Sequence, residues 1–128
     1  MKILSEISPG ELLDKISILE IKLDKVKDVE NLNKVKKEYD LLTKTRNSSI
    51  KEDKKIQDLF LELKKVNMNL WNIEDQLRIC EKNKKFDKDF IELARNVYIN
   101  NDTRAKIKLE INKLLKSNIV EVKQYVKY

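Results

Sequence analysis

From Ile56 to Cys80, apolar side chains recur in alternating steps of three and four residues: Ile56, Leu59, Leu63, Val66, Leu70, Ile73, Leu77 and Cys80. Seven unbroken steps of this kind keep one side of an α-helix apolar along its whole length and match no strand period. The segment is expected to be one helix from Ser49 to about Lys82, on the order of 50 Å long at 1.5 Å per residue. Its seam has the heptad spacing of a coiled coil. The helix is expected to end near "EKNKKFD", where Lys82, Lys84 and Lys85 suit a C-terminus.

The rest of the chain is compatible with helices and poorly suited to sheets. Gly10 is the only glycine and Pro9 the only proline, whereas tight hairpin turns draw on both residue types. "ISPGELLDKISILEIKLDKV" opens with a helix start, with Ser8 as N-cap, Pro9 at the first helical position and Glu11 completing a capping box. Leu12, Ile16, Leu19, Leu23 and Val26 line one side of that helix, and Ile18 and Ile21 the other. A helix apolar on two sides is expected at the centre of a bundle. A break is expected near Asp28–Glu30, after which Leu32, Val35, Tyr39 and Leu42 resume the pattern. Asn47, Ser48 and Ser49 mark a loop.

Asp87 caps a fourth predicted helix carrying Phe90, Ile91, Ala94, Val97 and Tyr98. A break is expected at "INNDTRAK", with Asn101 or Asp102 capping a fifth helix that carries Ile107, Ile111, Leu114 and Leu115. The alternating tail "NIVEVKQYVKY" and the start "MKILSEI" are expected to be extended, and the two ends are candidates for pairing as strands. The predicted fold is all-α: residues 1–128 form a single helical domain. In it a long antiparallel helical hairpin with coiled-coil-like packing is covered by two shorter C-terminal helices.

Composition removes several function classes. There is no histidine, hence no member of the commonest general-base and transition-metal ligand type. One glycine cannot build a phosphate-binding loop. The single cysteine, Cys80, falls on the apolar seam, reads as a small buried hydrophobe, and suits a reducing compartment. No apolar run reaches transmembrane length, and "MKILSEISPGE" lacks the apolar core of a signal peptide. A cytoplasmic location with no membrane contact is therefore expected. The net charge of +6 is concentrated in residues 101–128, which carry seven basic and three acidic side chains. "RAKIKLEINKLLKSN" and "VKQYVKY" give a weak nucleic-acid reading, set against the plainer one of a solvated basic face.

Beside the seam runs a second stripe: Asn67, Trp71, Glu74, Arg78 and Glu81. It reads either as the border where terminal helices dock or as a groove lined by charge and one indole. Arginine is scarce, with four residues against 24 lysines: Arg46, Arg78, Arg95 and Arg104. Arginine serves where a planar, bidentate donor is needed. Arg78, Arg95 and Arg104 are therefore expected to join Glu74 and Asp75 in one polar network, structural or anion-binding. Glu11/Asp14 and Glu20/Asp24 have spacings found in Mg²⁺-dependent all-helical pyrophosphohydrolases, but no second acidic motif adjoins them. No metal and no cofactor are expected.

The segments "EISPGELLDKISILEIKL", "LWNIEDQLR", "FIELARNVYINNDTRAKIKLEINKLL" and "SNIVEVKQY" together resemble an uncharacterised bacterial family of small helical proteins, over about residues 5 to 125. The resemblance implies a setting near sugar-transfer and tetratricopeptide proteins of surface-polysaccharide loci. It supplies no activity and no assigned site. The shared segments include Ser8, Pro9, Gly10, Glu11, Asp14, Lys15, Glu20, Trp71, Glu74, Asp75, Arg95, Tyr98, Asp102 and Arg104. The function expected is that of a non-catalytic interaction or assembly module, with a protein partner or self-association. The alternatives are a nucleotide-, sugar-nucleotide- or anion-binding enzyme or sensor using Trp71, Glu74, Asp75, Arg78, Arg95, Tyr98, Asp102 and Arg104, and a weak nucleic-acid binder.

Overall fold

A computed structural model describes all 128 residues. It is all-helical, with α1 spanning Pro9–Lys25, α2 Val29–Ser49, α3 Lys54–Lys82 and α4 Lys88–Leu114. Each helix starts at a side-chain cap. Ser8 Oγ accepts from the Glu11 amide (3.2 Å), Asp28 from Asn31 (2.9 Å), Asp53 from Ile56 (2.9 Å) and Asp87 from Phe90 (3.3 Å). These bonds satisfy backbone donors that the first turn leaves unpaired. The expected break between α1 and α2 is present but lies at residues 26–28, two residues before Asp28–Glu30, with Asp28 as the cap of α2. Asn47, Ser48 and Ser49, expected as a loop, instead end α2, and α3 starts only after the cap Asp53.

Two predicted features give way to others. The break at "INNDTRAK" is absent, and one helix of 27 residues replaces the two short ones. Asn100 Nδ2 donates to the Asn96 carbonyl (2.8 Å) and Thr103 Oγ1 to the Ile99 carbonyl (3.3 Å). These side chains fold back on the preceding turn and leave the backbone ladder whole. Asp102 caps nothing and instead accepts from Tyr128 Oη (2.6 Å). The termini form no strands. They are tied down by side chains, through Asn118 to Glu6 (2.9 Å), Glu121 to Lys108 (3.4 Å) and Tyr128 to Asp102. Without a shared backbone ladder, their alternation has no partner to register against.

α1 is the hub and the only helix packed against all three others. Its Leu12, Leu13 and Ile16 meet Ile56, Leu59, Phe60, Leu63 and Val66 of α3 and Ile107 and Ile111 of α4 in one core. α2 leans on α1 and buries no residue fully. Lys55, in the first turn of α3, pairs with Glu110 near the end of α4 (3.6 Å), so these two helices run in opposite directions. The α3 seam is buried from Ile56 to Val66 and only half-buried at Leu70, Ile73, Leu77 and Cys80. The 17-residue α1 is too short to cover both halves.

Two helices stop without glycine. Lys84 and Lys116 adopt left-handed backbone (φ 54° and 52°) one residue past the C-caps of α3 and α4. Lys85 N then reaches the Cys80 carbonyl and Ser117 N the Asn112 carbonyl, both at 2.9 Å, which is the Schellman pattern of helix termination. A Cβ is unfavourable in that conformation. Lys84→Gly is therefore expected to raise the unfolding free energy by about 1 kcal/mol. Urea titration followed by circular dichroism checks this, and an unchanged or lower midpoint contradicts it.

Candidate functional site

On α1, Gly10, Asp14, Ser17 and Ile21 follow the helical steps of four, three and four, and all are buried. This stripe faces α4 and α3 and carries the polar centre of the molecule. Asp14 is 1% exposed. Arg104 grips it with two parallel bonds, Nε to Oδ1 at 2.9 Å and Nη2 to Oδ2. Asn67 Nδ2 of α3 donates to Asp14 Oδ1 and to Ser17 Oγ, both at 2.8 Å. Ser17 Oγ in turn donates to the Asp14 carbonyl (2.7 Å). Lys108 adds its charge 3.6 Å from Asp14 Oδ2 and bonds Glu11 Oε2 at 2.6 Å. Glu11 thus reaches across to α4 instead of back to its own N-terminus, so the predicted capping box is half made.

Burial alone would push the Asp14 carboxyl up. The hydrogen bonds from Arg104 and Asn67, with the charges of Arg104 and Lys108, outweigh it and hold the group below its ordinary 3.8. The Asp14 hydrogen bond raises the Arg104 guanidinium further, against the effect of burial. For Lys108, burial works against the ammonium, but the Glu11 hydrogen bond and the charges of Asp14, Glu11 and Glu121 raise it above 10.5. The centre is fully charged at neutral pH, and every oxygen of Asp14 is engaged.

Above this centre lies an open groove of about 200 Å³, lined by Ser8, Ala105, Lys106, Lys108, Leu109, Asn112, Glu121 and Lys123. Beside it the start of α1 comes close to α4. The Gly10 amide donates to Asn112 Oδ1 at 2.7 Å. A methyl group on Gly10 would fall 2.5 Å from the Lys108 carbonyl and 2.8 Å from Asn112 Oδ1. Only glycine allows this approach.

The predicted network is divided in the fold. Arg104 goes to Asp14, not to Glu74 or Asp75. Arg78 pairs with Glu74 one turn away on the solvent side of α3. Arg95 pairs with Glu92 (3.1 Å), also on the surface. Asp75 is exposed, and Trp71 is half-buried on α3. Tyr98 stacks edge-on with Tyr128, ring centroids 5.3 Å apart, and Asp102 holds that same tyrosine. Of the acidic pairs on α1, Glu11 and Asp14 are spent on Lys108 and Arg104. Glu20 is held by Lys64 (2.9 Å) and Tyr39 (3.3 Å). No three acidic or cysteine side chains converge as a metal cage would require. Residue type alone points to Arg104 but not to Ser17, Lys108 or Asn112. The signal was the small and polar stripe Gly10–Asp14–Ser17 inside an otherwise apolar helix.

Four helices, three of them clamped by a charged cluster inside the core, define a small all-α protein. The chain belongs to a family of unknown function (DUF6165), whose model matches residues 1–127. No match exists among curated proteins or among solved structures.

Arg104→Met leaves the buried Asp14 charge without its main partner and is expected to cost about 3 kcal/mol in urea unfolding. Stability should also depend on pH through Asp14. Its folded pKa lies below the unfolded one, so its contribution is present above about pH 4 and is lost as pH falls through the folded value. Asp14→Asn should flatten this acid limb. An acid limb that persists unchanged in Asp14→Asn would assign it elsewhere.

Proposed function

We propose that the chain is a non-catalytic helical assembly module that associates with a second copy of itself through the distal half of α3 and α4. The observation that carries this reading is the seam. It keeps its heptad spacing for all seven steps, yet α1 covers only the first half. Leu70, Ile73, Leu77 and Cys80 stay half-buried, and Ile79, Phe86 and Ile91 stand 48%, 52% and 56% exposed around them. A two-helix segment buries too little apolar surface to complete a core, and a second such segment supplies the missing faces.

Charge favours a like copy as the occupant. Residues 70–98 carry six acidic and six basic side chains, a neutral stretch in a chain of net charge +6. Two copies therefore meet here without net repulsion. The engagement of every Asp14 oxygen supports the non-catalytic part of the reading, since no buried acid or base is left free for chemistry. The family resemblance adds a bacterial setting near the assembly of surface polysaccharide, and the single cysteine suits a cytoplasmic one.

Light scattering on the purified chain is expected to give twice the 15.2 kDa of one chain. Ile79→Glu with Ile91→Glu alters two exposed positions and should yield a folded monomer. An unaltered chain that stays at 15.2 kDa across concentrations, or a double variant that still pairs, overturns the proposal.

A further inference from the structure

The groove beside α1 is built with more donors than the chain uses. Asn112 is 4% exposed, and its Oδ1 accepts from Gly10, which fixes the orientation of the amide. Its Nδ2 then faces away from that bond and donates to no acceptor in the protein. Ser8, also buried, accepts from the Glu11 amide, and its hydroxyl proton has no acceptor either. Lys106 lines the same groove and forms no ion pair, Lys123 meets Glu121 at 3.8 Å, and Lys108 keeps Glu11 (2.6 Å) and Asp14 (3.6 Å) while lending its remaining reach to Glu121 at 3.4 Å. Two neutral donors without a protein acceptor, open to the groove and set beside Lys106, Lys108 and Lys123, describe an oxyanion site. The α1 amides are not part of it, being committed to Asn112, Ser8 Oγ and the Ser8 carbonyl.

We propose that this groove binds a phosphoryl group, with Lys106, Lys108, Lys123, Ser8 and Asn112 as its donors, and that Glu121 holds the place until the ligand displaces it. A carboxylate has two oxygens and one charge, and Glu121 leaves Lys106 and both neutral donors idle. A phosphoryl group brings three terminal oxygens and up to two charges, and uses them all. Displacing Glu121 also removes one of the few ties on the residues after α4. The others include the Asn118–Glu6 and Tyr128–Asp102 bonds and the Tyr98–Tyr128 stack. Ligand binding is thereby coupled to loosening of the C-terminal tail. This inference does not depend on self-association.

The chain supplies its own reporter. Gly10 is the only glycine, and its amide is bonded to Asn112, which lines the groove. Trp71, the only tryptophan, sits on α3 beyond Asn67 toward the distal end. In amide-correlation NMR spectra of the full chain at fixed ionic strength, added inorganic phosphate is expected to move the Gly10 signal saturably and leave the Trp71 indole signal in place. Glu121→Gln should tighten binding about twofold to fivefold, as expected for removal of one exposed ionic competitor. Lys106→Ala with Lys123→Ala, both at solvent-facing positions, should weaken it by at least as much while the circular dichroism spectrum is retained. Adenosine diphosphate in a parallel titration separates the sources. Equal affinity identifies the free phosphoryl oxyanion as sufficient, and tighter binding identifies a phosphoryl group carried on a larger molecule. A Gly10 signal that does not move, or one that moves equally with chloride, overturns the proposal. So does binding indifferent to Glu121→Gln and to the double lysine variant.

Discussion

The paired bonds between Arg104 and Asp14 join the first helix to the last across 90 residues of sequence, and the remaining geometry follows from them. A carboxylate at 1% exposure is tolerated only with full compensation. The compensation comes from α4 through Arg104 and Lys108, and from α3 through Asn67. Three helices are thereby held at one crossing. An apolar core alone would permit neighbouring registers of similar energy, whereas a buried charge has one arrangement that satisfies it.

α1 can occupy that central place because its faces differ in kind. Leu12, Leu13 and Ile16 fill the shared core, the Gly10–Asp14–Ser17 stripe carries the polar contacts, and Ile21 is buried as well. Gly10 brings the helix start against the α4 backbone, and Ser8 and Asn112 line the same groove there. The same close approach creates the lysine-lined groove. The polar centre below it is closed, with its groups satisfying one another, while the groove above keeps unspent donors. The difference is one of solvent access: the groove is open to water and tolerates unpaired donors that the centre could not.

The short reach of α1 has a second consequence. Beyond Val66 the α3–α4 pair continues as two helices with no third to cover them, so the seam there stays half wet. α2 compensates little, since it leans on α1 and reaches the core only at its margins, through Tyr39, Leu42, the loop residue Ile50 and the Arg46 guanidinium 4.3 Å over the Phe60 ring. The molecule therefore divides into a firmly built end, where α1 meets α3 and α4, and a distal pair of helices with apolar side chains in solvent.

Local chemistry in the sequence determined the helical class, the caps at Ser8 and Asp87, the break before α2 and the continuous seam of α3. Each depends on residues within a turn or two of one another, and the heptad spacing has no competing strand reading. The same local logic failed at Asn100–Arg104, because asparagine, aspartate and threonine can cap a helix or bond back to its preceding turn, and neighbouring residues do not decide between the two. Only the tertiary structure decided that Arg104 takes Asp14 and not Glu74 or Asp75, that Gly10 must be glycine, that Asn112 and Ser8 face a groove, and how much of the seam is covered. A charge can pair with any opposite charge of suitable reach. Which one it meets depends on the crossing of helices far apart in sequence, and that crossing exists only once the chain has folded.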